Sequence, residues 1–358
     1  MRELQVVSAG SLLIRNGVIQ QAGPSRRIEN LHEARNAREI DAKGQIVMPA
    51  FSSPDQALVT PDSSEARLAF VSRQRLEKSC KNTAAAYARV GSLMIGAHTG
   101  YAEDPGTAGR ILRIHQSVQS KPLRIRSILS PPALTNPDEL IQKWLPKAAK
   151  RKLAQIFDID LAPERSPQMR RREVAAVAAT TGFALRVRTA GNPRPDWYEL
   201  ASDIGALAIL SPYPAPADWT DRLPGCVQVI QAMSESGRSQ DQAGLFRKSI
   251  DRGWPIALAS GATRPGRPVA NPQYLLHLAE SRFGMTPEEA IVAATWNASC
   301  SLRMSHVGGS LEPGKAADLL IMDVPDYREL ARRPGESDVH IAMSAGHVVY
   351  RRGGLILD

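Results

Sequence analysis

The side chains that usually carry catalytic or metal chemistry are widely scattered in this sequence of 358 residues. Its three cysteines form no Cys-x-x-Cys pair, and its seven histidines form no His-x-His pair or other close pair that could supply zinc ligands. The sequence also lacks a phosphate-binding glycine loop and a Gly-x-Ser-x-Gly nucleophile turn. These spacings predict no metal site, no bound cofactor and no disulfide framework. The residues concerned are Cys80, Cys226, Cys300, His32, His98, His115, His277, His306, His340 and His347.

Composition indicates a globular protein without a membrane span. Hydrophobic residues make up 43% of the chain and charged residues 23%, enough for a large core. The net charge is +9, but the basic clusters Arg170–Arg172 and Lys147–Lys152 lie in helical patterns, the first beside Glu173, and only 5% of residues are aromatic. These clusters therefore predict solvated helix faces and no nucleic-acid surface. With no long apolar run and no signal-peptide pattern, we expect no membrane contact and a cytoplasmic location.

Short apolar segments and helical patterns alternate from Phe51 onward, which is typical of a parallel sheet with helical crossovers. Helical patterns include 68–90, 107–118, 138–149 and 173–181. Eight such βα units over about 250 residues predict an α/β fold of the (β/α)8 TIM-barrel type. The predicted strands are 51–57, 93–97, 125–129, 156–160, 185–189, 207–210, 227–230 and 255–260.

Extended patterns also occur at both ends of the chain. Asn16-Gly17 lies between apolar runs and predicts a hairpin, and short strand patterns return after the last predicted helix. We therefore predict a small β-sandwich domain built from residues 1–50 and 304–358, with the TIM-barrel domain at residues 51–303.

Several motifs resemble those of the amidohydrolase superfamily. Ser310–Leu319 reads Ser-Leu-Glu-Pro-Gly-Lys-Ala-Ala-Asp-Leu and resembles the phrase with which these chains re-enter their terminal β-sandwich. Asp323–Leu330 is similar to imidazolonepropionases in particular, as is Gly100-Tyr101 after the second strand, where His98 takes the place of the family's lysine. The segment Met285–Ala290 matches the family's last barrel helix. The resemblance implies a barrel with a terminal β-sandwich, hydrolysis of a non-peptide C–N bond with a metal, and possible homodimers.

The resemblance also indicates which residues stand at the family's functional positions. The family binds its metal through His-x-His at the end of strand one, where this chain has Asp55 and Ala57. Further ligands and proton-transfer groups come from later strands, and they are replaced as well. We therefore expect that a metal site of the family type is absent. The replaced positions are Asp55, Ala57, Arg188 (for a ligand histidine), Gly191 (for the acid–base glutamate), Ser211 (for a catalytic histidine) and Gly261 (for the metal-binding aspartate).

Seven residues are predicted to point into the barrel mouth, and they allow alternatives. One hypothesis pairs the guanidinium of Arg188 with the carboxylate of Asp55, because an unpaired buried charge is costly. Another leaves Arg188 free to bind a small anionic ligand. His98 is a candidate general base in a metal-free reaction or a hydrogen-bonded structural residue. The predicted mouth residues are Asp55, His98, Tyr101, Asp160, Arg188, Ser211 and Ser260.

Three functions follow as hypotheses. The leading one is an amidohydrolase-like protein without metal-dependent hydrolase activity that acts as a small-molecule-binding or scaffold protein. The alternative is a divergent hydrolase that acts on C–N bonds of cyclic amides through the residual mouth residues. A metal-dependent hydrolase with an unrecognised site is the third, and the missing ligands disfavour it.

Overall fold

The computed structural model describes residues 4–60, 67–119, 122–132, 135–161, 168–189, 193–215, 225–233, 242–261 and 271–355. These residues form fifteen strands in three sheets. The strands are β1 (Gly10–Arg15), β2 (Val18–Pro24), β3 (Ile46–Pro49), β4 (Phe51–Gln56), β5 (Ser92–His98), β6 (Arg124–Leu129), β7 (Ile156–Asp160), β8 (Ala184–Arg188), β9 (Ala208–Ser211), β10 (Val227–Gln231), β11 (Ile256–Ala259), β12 (Leu319–Met322), β13 (Val339–Ser344), β14 (His347–Arg351) and β15 (Gly354–Leu355).

Strands β4 to β11 form a parallel sheet in sequential order, and β11 lies beside β4, so that the sheet nearly closes into a barrel. Most residues of these strands are buried, because one face fills the barrel and the other packs against helices. The predicted TIM-barrel class is confirmed, and each of the eight predicted strands corresponds to one strand of this sheet.

Helices connect the barrel strands and surround them. The N-terminal cap of the helix Pro105–Val118 is typical, because the Asp104 side chain accepts from the backbone amides of Gly106 and Thr107. No helix within the described ranges is long and apolar enough to cross a membrane. The α-helices are α1 (Ser25–Ile28), α2 (Arg73–Arg89), α3 (Pro105–Val118), α4 (Pro137–Glu139), α5 (Leu145–Ala149), α6 (Gln168–Thr180), α7 (Pro195–Asp203), α8 (Gln242–Asp251), α9 (Pro272–Phe283), α10 (Pro287–Val292) and α11 (Ala298–Cys300); π-helical turns join α4 to α5 and α10 to α11, and short 3-10 turns span His32–Ala34, Leu68–Phe70 and Tyr327–Glu329.

Both ends of the chain contribute to the antiparallel sheets. Strand β3 pairs with β12 in the five-stranded sheet, and the β1–β2 hairpin is joined to the C-terminal part through the Ile19 amide, which donates to the Lys315 carbonyl at 2.8 Å. The predicted β unit made from both chain ends is thus present. The boundaries proposed for the two domains, 1–50 with 304–358 and 51–303, stay a prediction.

Alternate side chains of the barrel strands fill the interior. On β5, β6 and β7 the residues Met94, Ile128 and Ile156 pack with Leu302 and Met304, whereas their neighbours in sequence belong to the larger core beneath the helices. Since side chains alternate along a strand, residues two or four positions further on point into the same interior, closer to its C-terminal mouth.

Gly96 lies between Met94 and His98 on this interior face. A Cβ at residue 96 would lie 2.3 Å from the carbonyl oxygen of Pro54 and 2.5 Å from Leu302 Cδ2. Strand β4 can approach β5 this closely only because Gly96 has no side chain.

Replacement of Gly96 by alanine should therefore strain the barrel. We expect Gly96→Ala to lower the free energy of unfolding by about 1–3 kcal/mol, as overpacking does in other cores, when measured by denaturant titration. Gly335→Ala is the control, because no atom lies within 4 Å of a Cβ built there. Equal effects of the two substitutions would contradict the packing argument.

Candidate functional site

Arg186 is the centre of a buried ion-pair network in the barrel. It lies on β8 directly opposite Asp158 of β7, and its side chain has no exposed surface. Its Nε donates to Asp158 Oδ1 at 2.7 Å and its Nη2 donates to Asp158 Oδ2 at 3.0 Å, a bidentate arrangement. Its Nη1 donates to the Pro54 carbonyl at 2.7 Å. Every nitrogen of this guanidinium therefore has an acceptor.

Asp55 on β4 accepts hydrogen bonds from two guanidiniums. Arg188 donates through Nη2 to Oδ1 at 2.7 Å and through Nη1 to Oδ2 at 3.3 Å. Arg186 Nη2 reaches Oδ1 at 3.2 Å, and the Gln231 amide donates to Oδ2 at 3.2 Å. The predicted ion pair between Asp55 and Arg188 is present.

Asp158 completes the network. Its Oδ2 accepts from Arg188 Nη2 at 3.2 Å and from the hydroxyl of Ser130. We call Asp55, Asp158, Arg186 and Arg188 the mouth network. It contains two carboxylates and two guanidiniums, so its formal charges cancel.

Electrostatics within the mouth network favour the ionised form of its carboxylates. Burial alone would raise the pKa of Asp55, but Arg188 and Arg186 outweigh that effect and hold the pKa well below its usual range. The pKa of Asp158 is lowered in the same way, since Arg186 and Arg188 outweigh burial. For Arg188, burial lowers the pKa, but the attraction of Asp55 and Asp158 raises it above its usual value. The network is therefore ionised at neutral pH.

His98 is buried on the same interior face as Met94 and Gly96. Its Nδ1 accepts from the backbone amide of Gly100 at 3.1 Å, so the proton of the neutral ring lies on Nε2. No partner for Nε2 is found among the described residues. Burial lowers the pKa of His98 to about 4, although the nearby carboxylate of Asp55 opposes the shift. At neutral pH the unpartnered nitrogen is thus a hydrogen-bond donor, which does not favour a general-base role.

Two serines predicted for the mouth are turned away from it. Ser211 follows the same alternation as Ile209, which packs in the core under the helices, and its hydroxyl accepts from the Tyr213 amide at 3.2 Å. Ser260 accepts from the Gln56 amide at 2.9 Å. The prediction was wrong for both, because the residues that face the interior on these strands are their neighbours in sequence.

Gln56 also accepts from the hydroxyl of Tyr87 on α2, at 2.5 Å. Its contacts therefore lie on the helix side of the barrel, and so does Ser260.

The remaining predicted mouth residues lie outside the mouth network. Asp160 is half-buried at the end of β7, two residues beyond Asp158 and within the electrostatic reach of Arg188. The hydroxyl of Tyr101 is buried, with no partner in the described part of the chain.

Two of the positions expected to have lost metal ligands carry no side-chain donor. Ala57 is buried and offers no ligand atom. Gly261 has φ of +65°, and a Cβ there would lie 2.7 Å from Gln231 Cβ, so a side chain at this position would require a shift of β10. Gly191 lies outside the described residues. Within the described ranges, no three His, Cys, Asp or Glu residues are grouped so that they could hold a metal ion.

Arg186, Gln231 and Asp158 were not among the residues predicted from the sequence to point into the mouth. The sequence signal for this network is a pair of like charges two residues apart on each of two neighbouring strands. Asp158 and Asp160 lie on one strand, and Arg186 and Arg188 lie on the next. Residues at this spacing share a face, so opposite charges on adjacent parallel strands come together inside a barrel.

Known proteins resemble this chain over almost its whole length. The model of the family described as "Amidohydrolase family" matches residues 251–349. The imidazolonepropionase of Brevibacillus brevis is 26% identical over 411 residues, covering 99% of this chain and 93% of that protein. That of Geobacillus kaustophilus is 27% identical, with the same coverage of both chains.

These matches support placing the chain in the amidohydrolase superfamily, with similarity to imidazolonepropionases in particular. Its relationship to imidazolonepropionases extends through both the barrel and the terminal sheets, as the motifs predicted. Solved amidohydrolase-like structures show the same fold. The 5-methylcytosine deaminase of Klebsiella pneumoniae superposes with a TM-score of 0.75 at 16% identity, covering 97% of this chain and 95% of that one. The ochratoxinase of A. niger gives 0.74 at 14% identity, with 96% and 91% covered.

The mouth network should be essential to the stability of this barrel. We expect Asp158→Asn to lower the free energy of unfolding by about 3–5 kcal/mol, because it leaves a buried guanidinium without its bidentate carboxylate. Denaturant unfolding followed by circular dichroism measures the change.

The matched control is Asp203→Asn, which breaks an exposed ion pair with Arg172. Exposed pairs contribute less than about 1 kcal/mol. A loss for Asp158→Asn no greater than that of the control would show that the network does not support the fold.

Proposed function

We propose that this amidohydrolase-like chain binds a small molecule at the barrel mouth and does not carry out metal-dependent hydrolysis there. The observation that carries the proposal is the contact of two guanidiniums with Asp55. By the family resemblance, Asp55 stands at the first metal-ligand position, and its carboxylate oxygens accept hydrogen bonds from Arg186, Arg188 and Gln231.

The two guanidiniums at this position oppose a divalent cation, and the carboxylates that would attract it are already paired with them. Two unit charges 4 Å apart interact by about 4 kcal/mol at an effective dielectric constant near 20, so a divalent ion is repelled roughly twice as strongly by each guanidinium. Arginine remains protonated and cannot act as a ligand. Arg186 and Arg188 would therefore oppose the ion that the family's histidines attract.

The donor set does not fit the family's metal either. Ala57 and Gly261 offer no ligand side chain, and the hydroxyl of Ser211 lies on the other face of its strand. Among the family's ligand positions that the structure describes, Asp55 is thus the one that retains a possible donor group in the interior. Its carboxylate is already paired with arginine. This mismatch supports a role other than activation of a metal-bound water.

Arg188 supports a binding role for the mouth. Its side chain is 18% exposed, and its contacts with Asp55 and Asp158 use three of the five N–H donors of a guanidinium. The other two N–H groups of Arg188 form no hydrogen bond with the described residues. Since two carboxylates already offset its charge, a neutral carbonyl oxygen can bind as well as a carboxylate. The ligand class we propose is a small molecule with such an oxygen.

Metal content tests the first half of the proposal. We expect purified protein to contain far less than one equivalent of zinc, iron or manganese by elemental mass spectrometry. We also expect a chelator to leave its thermal midpoint unchanged, because arginine, not metal, neutralises the buried carboxylates. A stoichiometric metal that is lost together with stability on chelation would refute the metal-free assignment.

A thermal-shift screen of cyclic amides and small carboxylates tests the second half, since a ligand that binds only the native state raises its melting temperature. The rise should vanish in Arg188→Met and persist in Arg351→Met, which alters an exposed residue of β14. A rise that persists in Arg188→Met would place the ligand elsewhere. Turnover of a bound cyclic amide would instead support the divergent hydrolase.

A further inference from the structure

A second polar cavity lies at the opposite end of the barrel from the mouth. It measures about 270 Å³ and is lined by Arg124 and Arg126 of β6, by Gln119 and Gln155, and by Met304. The two arginines precede Ile128 on the interior face of β6, so they lie at the N-terminal end of the barrel, below the apolar cluster that contains Ile128. This cavity is separate from the mouth network.

The positive charges around this cavity are only partly neutralised. Arg124 forms an ion pair with Asp318, whose Oδ1 also accepts from the Ala345 amide at 2.7 Å. Arg126 has no carboxylate within ion-pair distance in the described part of the chain. Its Nη2 donates to the Arg303 carbonyl at 3.3 Å, and its Nε is buried and finds no partner among the described residues.

Arg303 increases this excess of positive charge. Burial and the repulsion of Arg303 together lower the pKa of Arg126. Leaving a guanidinium half-buried beside a like charge is unfavourable unless a counter-charge is supplied. The cavity is where that charge would fit, because Arg126 lines it.

The glutamines provide neutral hydrogen-bonding groups at the same place. Gln155 Oε1 accepts from the Ser127 amide at 3.1 Å, which fixes the orientation of its side-chain amide and leaves the NH2 group as a donor. Planar guanidinium donors together with an amide donor suit an oxyanion such as phosphate or carboxylate.

We propose that this cavity is an anion site that takes a phosphate or carboxylate group between Arg126 and Gln155. The anion accepts hydrogen bonds from the Arg126 guanidinium and supplies the counter-charge for Arg126 and Arg303. The site is at the end of the barrel away from the mouth. A bound anion therefore stabilises the fold and takes no part in chemistry at the mouth. This proposal does not depend on the function of the mouth.

Binding is tested with the full chain and two probes, inorganic phosphate and acetate, each at an ionic strength held constant with sodium chloride. Thermal shift and isothermal titration calorimetry are the measurements. We expect at least one probe to raise the melting temperature beyond the chloride control. A response to phosphate identifies a phosphate group as the ligand chemistry, and a response to acetate a carboxylate. A response to neither overturns the proposal.

Substitutions locate the site. Arg126→Gln should weaken binding of the effective probe at least about tenfold, since a charge-assisted hydrogen bond and the nearest charge are both lost. Arg303→Gln, at an exposed residue, should weaken it less and serves as the deciding variant if Arg126→Gln does not fold. Arg351→Met, at an exposed residue of β14, should bind the probe as the parent does. Undiminished binding in Arg126→Gln, or in Arg303→Gln where that variant decides, overturns the proposal, and so does loss of binding in Arg351→Met.

Discussion

The guanidinium of Arg186 is fully buried inside the barrel. Three strands are arranged so that its charge and its hydrogen-bond donors have partners. Burying an ion costs several kcal/mol unless partners replace water. Asp158 on β7 provides a bidentate carboxylate, while β4 contributes both the Pro54 carbonyl and Asp55. The pairing of β4 with β5 is irregular between Ser53 and Gln56, where that carbonyl approaches Gly96. The geometry of the mouth thus depends on neutralising one buried charge.

Charge and apolar surface alternate along the barrel axis. On β6, two arginines come first and Ile128 follows; just beyond the end of the strand, the hydroxyl of Ser130 donates to Asp158. The apolar layer consists of Ile128 with Met94, Ile156 and residues that follow the last helix. Because this layer separates the charges at the two ends, those at one end interact weakly with those at the other. A ligand bound at one end of the barrel therefore has little electrostatic effect on the other end.

Much of the fold could be predicted because apolar runs and helical patterns alternate along the barrel. The Asp55–Arg188 contact could also be predicted, since both positions converge on one point in the family. Arg186 was missed because it corresponds to no functional position of the family. Ser211 and Ser260 were placed on the wrong face. A residue at the end of a strand points inward or outward according to the register of the strand, and a shift of one residue moves its side chain to the opposite face. Motifs alone do not fix that register.

A metal ion and a guanidinium can both hold carboxylates from separate strands together, but they differ in what they offer a ligand. A metal provides an open coordination position and lowers the pKa of bound water. Arg188 provides fixed hydrogen-bond donors and no route to an activated nucleophile. In the proposed function, the mouth network is therefore a rigid recognition surface, whose donors are oriented before a ligand arrives. Asp55 and Asp158 limit the rotation of Arg188, so less side-chain entropy is lost on binding. Selectivity then depends on where a ligand carries its oxygen atoms.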